Sequence, residues 1–221
     1  MSRKIFGTVY RRRMRDLSHP IRTGMTVYPG DPAVRIEPAL EIARDGVAVA
    51  ALHLGSHTGT HLDAPSHVIA GGRTTGAIPL DELVGEAIVL HLGEVAAGAV
   101  ITLDDLRRAS ADLEADLRPV VVLDTGWAER FGSADATAHP HLDRAAAAWL
   151  VAHGMRVLAV DLLSPDPTGG EGFPVHEIVL GADALIVENL RGLAGLERHP
   201  RIGVFPLAID ADGAPARVVA L

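Results

Sequence analysis

Apolar and polar positions divide this chain into two unlike parts. Residues 16–34 (DLSHPIRTGMTVYPGDPAV) form a string of turns around short extended pieces, broken at Pro20, Gly24, Pro29, Gly30 and Pro32. Residues 34–43 then alternate, with Val34, Ile36, Pro38, Leu40 and Ile42 on the apolar beat, which predicts a strand. Asp45-Gly46 is a hairpin signal, and 47–54 returns as a second strand. After a turn at Ala70-Gly71-Gly72 the pattern changes. A short helix is expected over 78–84 and an apolar strand over 87–92. Thr102 caps a helix over 103–109, with Asp104 and Asp105 in its first turn.

The second part alternates strands with helices. PVVVLD at 119–124 reads as a buried β-branched strand, with Thr125-Gly126-Trp127 at its carboxyl end, where ligands sit in α/β sheets. A helix follows over 142–153, with Ala145, Ala148, Trp149 and Ala152 on one stripe and Gly154 as its stop. A strand over 156–160 ends at Asp161, and this strand–helix–strand order fits a parallel crossover. Beyond a Pro- and Gly-rich loop at 164–174, a short helix at 175–180 carries His176. A strand at 184–187 leads to Glu188, and 202–208 and 217–221 are the last strands. Antiparallel pieces early and βα alternation later make the fold class mixed α/β, in one domain over 16–221.

Composition limits what such a domain can do. Of 221 residues 48% are hydrophobic and only 4% aromatic, so Ala, Val and Leu do most of the packing. There is no Cys, which excludes disulfides, thiolate metal sites and cysteine nucleophiles. A metal would be held by nitrogen and oxygen, a donor set that suits zinc, manganese or iron. The net charge of −8 is uneven: residues 1–15 hold Arg3, Lys4, Arg11, Arg12, Arg13 and Arg15 and no acid, while the remainder carries 14 basic against 28 acidic side chains. An acidic body argues against nucleic-acid binding. The basic arm reads as a disordered extension, or as an upstream start with Met14 the natural one. It lacks the apolar core of a signal peptide, and no stretch approaches the roughly 18 apolar residues of a spanning helix. The expectation is a soluble, cytoplasmic protein with no membrane partner.

The chemistry concentrates in SHTGTHLDAPSHV, residues 56–68, where His57, His61, Asp63 and His67 fall close together. On a helix Asp63 would point roughly 160° away from His61, and Thr58-Gly59-Thr60 is a poor helix former. A straight strand would leave His57 and Asp63 about 20 Å apart, whereas ligand atoms come within about 2 Å of a metal. A bend near Gly59 followed by extended His61-Leu62-Asp63 meets the requirement: alternation aims His61 and Asp63 the same way and the bend returns His57 to them. Pro65 ends the segment, and His67 stands where it would flank a metal without joining it. Surface-loop histidines are the plainer alternative, but three His and an Asp around one Gly favour a metal site. Tyr28 is either a hydrophobic plug or part of a pocket wall, and Tyr28, Trp127 and Phe173 are the few rings available for stacking on a substrate.

The motifs DLSHPI, VYPGDP, HTGTHLDAPSH, TGW, VDLLSPD, HEIVLGADALIVENL and PARVVAL, spread from Asp16 to the end, resemble those of the cyclase-like metal-dependent hydrolases, the family that includes bacterial kynurenine formamidase and isatin hydrolase. The resemblance implies a swivelling β/β/α fold, a homodimer or homotetramer, and two divalent ions per subunit, zinc or manganese. It implies His57, His61 and Asp63 as ligands of the first metal, Asp63 and Glu188 as bridges, and His176 as a ligand of the second. It implies His67 as proton donor and acceptor. Tyr28 lies in the segment that lines the substrate pocket, where the formamidases carry Trp, and Asp124-Thr125 stands where many have Arg-Thr. Such a centre activates water for attack on a small amide, formamide, lactam or lactone. A cyclase or dehydratase using the same residues is the alternative, and a non-catalytic binding protein that has kept the fold is a third reading.

Overall fold

Two-residue alternation along the central strands covers both faces of one sheet. The computed structural model describes residues 14–221, so most of the basic arm lies outside the described residues. Strand β1 (Arg15–Asp16) opens the order, and Arg15, counted above with the arm, pairs there with Ala220. β2 (Arg35–Leu40), a single helical turn α1 (Ile42–Asp45) and β3 (Val49–His53) make an antiparallel hairpin. β4 (His61–Asp63) and β5 (Val84–His91) follow, then β6 (Val100–Ile101), α2 (Leu103–Ala109), α3 (Leu113–Asp116) and β7 (Val120–Asp124). The rest is β8 (His141–Leu142), α4 (Arg144–Ala152), β9 (Val157–Val160), α5 (Pro174–Gly181), β10 (Leu185–Glu188), β11 (Arg201–Pro206) and β12 (Gly213–Ala220).

The large sheet runs β1-β12-β11-β5-β7-β9-β10-β4, and β12 pairs with β4 as well, so the ring closes. β5, β7, β9 and β10 are mutually parallel, as the crossover pattern predicts. β11, β12 and β4 complete the ring in antiparallel fashion. Ile88 and Leu90 on β5, Val121 and Leu123 on β7, and Leu158 and Val160 on β9 face Leu106, Ala146, Leu150 and Val179 of the helices. The intervening residues Ala87, Val89, Val120, Val122, Val157 and Ala159 face inward onto Leu62, Leu185, Val187 and Val218. A fully buried Leu or Val stabilises such a core by about 1.5–3 kcal/mol.

The structure departs from the sequence expectations at four places. Asp45-Gly46 does not form a two-residue hairpin turn. Pro38, without an N–H, sits at a register irregularity, the Asp45 carboxylate accepts from Glu41 N at 2.8 Å, and Gly46 closes the helical turn at φ 78°. The helix expected over 78–84 is broken by Pro79 into two single 3₁₀ turns, Thr75–Ala77 and Leu80–Glu82, with β5 starting at Val84. In α4 the buried stripe is Ala146, Ala147 and Leu150, on nearly the opposite face from the expected one, whose Ala145, Ala148 and Ala152 are exposed. Asp143 caps the helix from Ala145 N and Ala146 N, and Trp149 stays at the rim, stacked on His153 at 3.9 Å. The final strand is longer than 217–221 and begins at Gly213, which matters for the site below.

Candidate metal centre

The bend at Gly59 has φ 64°, a left-handed conformation that glycine adopts without strain. It is pinned on all sides: the Asn189 side-chain amide donates to Gly59 O at 3.1 Å, Thr60 Oγ1 donates to Asn189 O at 2.5 Å, and Ala216 N donates to Thr60 O at 2.9 Å. Asn189 itself is held at φ 56°, a conformation that Asn tolerates. β4 then runs extended, with Leu62 in the inner core and His61 and Asp63 on the opposite face. On β10, Leu185 and Val187 point to that inner core, so Glu188 shares the other face with Ile186. Register pairs Glu188 with His61 and Ile186 with Asp63. α5 lies over this face and brings His176 down onto it.

The result is one buried cluster assembled from three elements. His57 Nδ1 is 2.7 Å from Asp63 Oδ1, and His61 Nε2 is 3.2 Å from Asp63 Oδ1 and 3.3 Å from Glu188 Oε2. His176 Nε2 is 3.6 Å from Asp63 Oδ2 and 3.3 Å from Glu188 Oε1. All five sequence-predicted ligand positions therefore meet. His67 lies beside them, its ring 4.0 Å from that of His57 and 5.7 Å from that of His176.

Each of three imidazoles has an acceptor at both nitrogens. His61 Nδ1–H donates to Gly59 O at 2.8 Å, His176 Nδ1 lies 2.7 Å from Asp166 Oδ2, and His57 Nε2 lies 2.9 Å from Asp212 Oδ2. Their other nitrogens all face Asp63, and those of His61 and His176 face Glu188 as well. A neutral imidazole with its proton on the outer nitrogen would direct a lone pair at a carboxylate, so a cation belongs between them. Burial disfavours charge on His61 and His176, yet the neighbouring carboxylates lift both well above the ordinary imidazole value. Burial pushes Asp63 up, but His61, His176 and His57 hold it well below the carboxylate range. Burial and Asp63 raise Glu188, and His176 and His61 bring it lower overall. The buried oxygens Asp63 Oδ2 and Glu188 Oε1 receive no hydrogen bond. Unsatisfied buried carboxylate oxygens are costly, and a divalent cation satisfies them. Outer acceptors that fix each histidine while its inner nitrogen faces the centre are the arrangement found around metal-ligating imidazoles. The donor set thus fits a divalent metal.

His67 differs. Burial, together with His57 and His176, depresses it below the ordinary imidazole value, against the opposite pull of Asp63 and Asp212. Its Nδ1 is 3.2 Å from Asp212 Oδ2. Asp212 is driven the other way: burial raises it, but His57 and His67 bring it down to about 2.

The cluster forms the floor of a cavity of about 300 Å³ walled by Val27, Tyr28, Val68, Leu163 and Phe173. Tyr28 and Phe173 sit at a ring-centroid distance of 6.5 Å, tilted by 57°. Tyr28 is therefore part of the pocket wall. Trp127 is not. It is buried in the core with Nε1–H donating to Ala136 O, while Thr125 Oγ1 donates to Asp161. The Thr125-Gly126-Trp127 turn supports the fold rather than the pocket.

Asp166 and Asp212 were not singled out from the sequence. Asp166 accepts from Val175 N and His176 N across a loop, a capping contact from outside the usual N-cap position, so no local spacing marks it. Asp212 sits in Asp210-Ala211-Asp212-Gly213, which reads as a turn. Only its position beside β4 reveals its partners.

A closed mixed sheet with a buried His/Asp/Glu cluster at one face defines a metal-dependent hydrolase class, and the comparisons agree. The Cyclase family model matches residues 15–167. Kynurenine formamidase of Bordetella petrii is 30% identical over 217 residues, covering 94% of this chain and 97% of that one. A structure of a predicted metal-dependent hydrolase from Bacillus stearothermophilus is 28% identical, with TM-score 0.77, covering 94% of this chain and 97% of that one. Isatin hydrolase A from Labrenzia aggregata, bound to benzyl benzoate, superposes with TM-score 0.83 at 23% identity, covering 94% and 93%, and shares the fold. The chain belongs to the cyclase family and is a hydrolase within it.

Proposed function

We propose that this enzyme hydrolyses a small aromatic amide, formamide or lactam, with His57, His61, Asp63, His176 and Glu188 holding two divalent ions, zinc or manganese. The observation that carries the reading is the division of each carboxylate between two sides. Asp63 Oδ1 faces His57 and His61 while Oδ2 faces His176, and Glu188 Oε2 faces His61 while Oε1 faces His176. Two donor groups that share Asp63 are what two adjacent ions require.

When bound, such ions lower the pKa of water and polarise a carbonyl oxygen. The chain's own residues do the rest. Tyr28 and Phe173 give a flat ring an aromatic wall above the centre. Val27, Val68 and Leu163 exclude bulk solvent from it. With Nδ1 held by Asp212, His67 keeps Nε2 for proton transfer. Nε2 takes a proton from the attacking water and returns it to the departing nitrogen as the carbon–nitrogen bond breaks.

The test is metal analysis of the purified protein together with turnover of N-formylkynurenine, isatin and simple lactones in oxygen-18 water. Label in the product supports hydrolysis; ring closure without label would favour the cyclase reading. Among the described residues no helix is long and apolar enough to cross a membrane, and a cytoplasmic setting remains our proposal, checked by cell fractionation. We also infer a homodimer or larger assembly. Ile42, Val47 and Leu52 of the hairpin are more than half exposed, an apolar set that a second copy would cover. Light scattering at working concentration decides it.

A further inference from the structure

We propose that Asp212 is a positioning residue that ties one imidazole of the centre to the proton carrier through a single carboxylate oxygen. Oδ2 lies 2.9 Å from His57 Nε2 and 3.2 Å from His67 Nδ1, although the two histidines are 155 and 145 residues away in sequence. The inference rests on the roles given above to His57 and His67.

Three features hold this carboxylate in place. Ala64 N donates to Asp212 O at 2.9 Å, so the residue is anchored to the end of β4. Gly213, the next residue, is paired with Asp63 in the β12–β4 ladder. Its Cα lies against the His57 ring with no room for a side chain. The backbone at 212–213 therefore lies against the ring of His57, and the β12–β4 pairing sets where Asp212 stands relative to it.

The consequence concerns tautomers. An ionised carboxylate only accepts. It places the proton of His57 on Nε2, which turns Nδ1 and its lone pair toward Asp63. It places the proton of His67 on Nδ1, which leaves Nε2 as the base. Because one oxygen serves both rings, their relative position is set together. Asn at 212 presents an NH₂ group as well as an oxygen, and cannot accept from both rings through one charged atom. A wrong tautomer of a catalytic imidazole is among the more damaging single changes to acid–base catalysis.

The experiment has two parts. In the first, nitrogen-15 histidine-labelled wild-type protein, loaded with zinc, is examined by two-bond proton–nitrogen spectroscopy, with His67 assigned from the spectrum of His67→Gln. The expected result is a protonated Nδ1 and a bare Nε2 on His67. Protonation on Nε2 overturns the proposal, and this readout needs no activity. In the second, Asp212→Asn and Asp212→Glu are compared with wild type. Asp212→Asn should lower kcat by roughly 10²-fold, within the range of general acid–base effects, with KM changed less than about threefold and bound zinc unchanged in equivalents. Zinc affinity should weaken by about 10–100-fold, as for other residues that orient a metal-bound histidine. Asp212→Glu should recover part of the lost kcat, since it keeps an accepting oxygen. Unchanged kcat in Asp212→Asn, or a lost equivalent of zinc that makes Asp212 a ligand, refutes the proposal. Wild-type protein that binds no metal and turns over no amide sinks the hydrolase reading instead, while the tautomer of His67, then read on the metal-free protein, still decides the role of Asp212.

Discussion

A β-carbon on Gly213 would meet Cε1 of His57 at 2.6 Å and both ring nitrogens at 3.1 Å. The last strand and the first imidazole of the cluster are thus in direct contact, and Gly213→Ala must displace the ring. Overpacking of this kind costs about 1–3 kcal/mol. Gly213→Ala is expected to fold with a lowered melting temperature and to bind zinc at least about tenfold more weakly. Calorimetry and competition with a chromophoric chelator measure the two effects, and wild-type zinc affinity in this variant would mean that the ring does not stand where the structure puts it.

His67 is read as a proton carrier and not as a ligand. His67→Ala should lower kcat by about 10²–10⁴-fold, the span of general acid–base contributions, with metal content unchanged by elemental analysis. Normal turnover removes His67 from the reaction, and a parallel loss of metal makes it a ligand.

Asp63 Oδ2 and Glu188 Oε1 lack a hydrogen-bond donor, so a metal should stabilise the fold as well as activate it. Chelation is expected to abolish turnover, and added zinc or manganese to restore it. At a free metal concentration 100 times the dissociation constant the stabilisation is about 2.7 kcal/mol, visible as a rise in melting temperature. His176→Ala should retain one equivalent of metal and lose the other. Two equivalents in that variant would contradict the assignment of His176 to the second ion.

Tyr28 and Phe173 supply the aromatic wall. Tyr28→Ala and Phe173→Ala should each raise KM for aryl substrates by roughly tenfold, about the worth of one aromatic contact beyond area burial, with little change for an aliphatic lactone. Equal effects on aromatic and aliphatic substrates would show that the wall does not select for a ring.

Asp161 provides a pH test away from the centre. Burial lifts its carboxyl from 3.8 to about 6, against the opposing hydrogen bonds from Thr125. A raised carboxyl is stabilising only while protonated. Its contribution is full below pH 3.8 and is lost as pH rises through about 6. At about 1.4 kcal/mol per pH unit between those values, ionisation costs on the order of 2–3 kcal/mol. His19 opposes it: burial and Arg191 depress its imidazole from 6.5 to about 4, so its contribution is present above 6.5 and lost as pH falls through about 4. Asp161→Asn should therefore steepen the change in stability from pH 4 to 6.5 in the direction of a gain, and His19→Gln should shift it in the direction of a loss. Denaturant melts across that window read both slopes, and a variant pair with identical slopes would reject this account.

Much of the site was legible because its residues obey short-range rules. The Gly59 bend and the two-residue alternation of β4 place His57, His61 and Asp63 from the sequence alone. His176 and Glu188 are different: one sits on a helix and the other ends a strand, and only the family resemblance joined them to the cluster before the sheet register did. Asp166 and Asp212 escaped because their partners lie across loops or across the sheet closure. The hydrophobic pattern found the central parallel strands, whose apolar runs are long. It erred where Pro79 and Pro38 overrode the local beat, and in α4, where Ala-rich sequence gives little sign of which side packs.

Closure of the ring by β12 has a consequence for how the enzyme is made. β4 is translated early, but one of its neighbours and the carboxylate beside His57 come from residues 212–215. On the ribosome, His57, His61 and Asp63 emerge long before the strand that completes their surroundings. A nascent chain stalled short of residue 212 should accordingly bind zinc poorly.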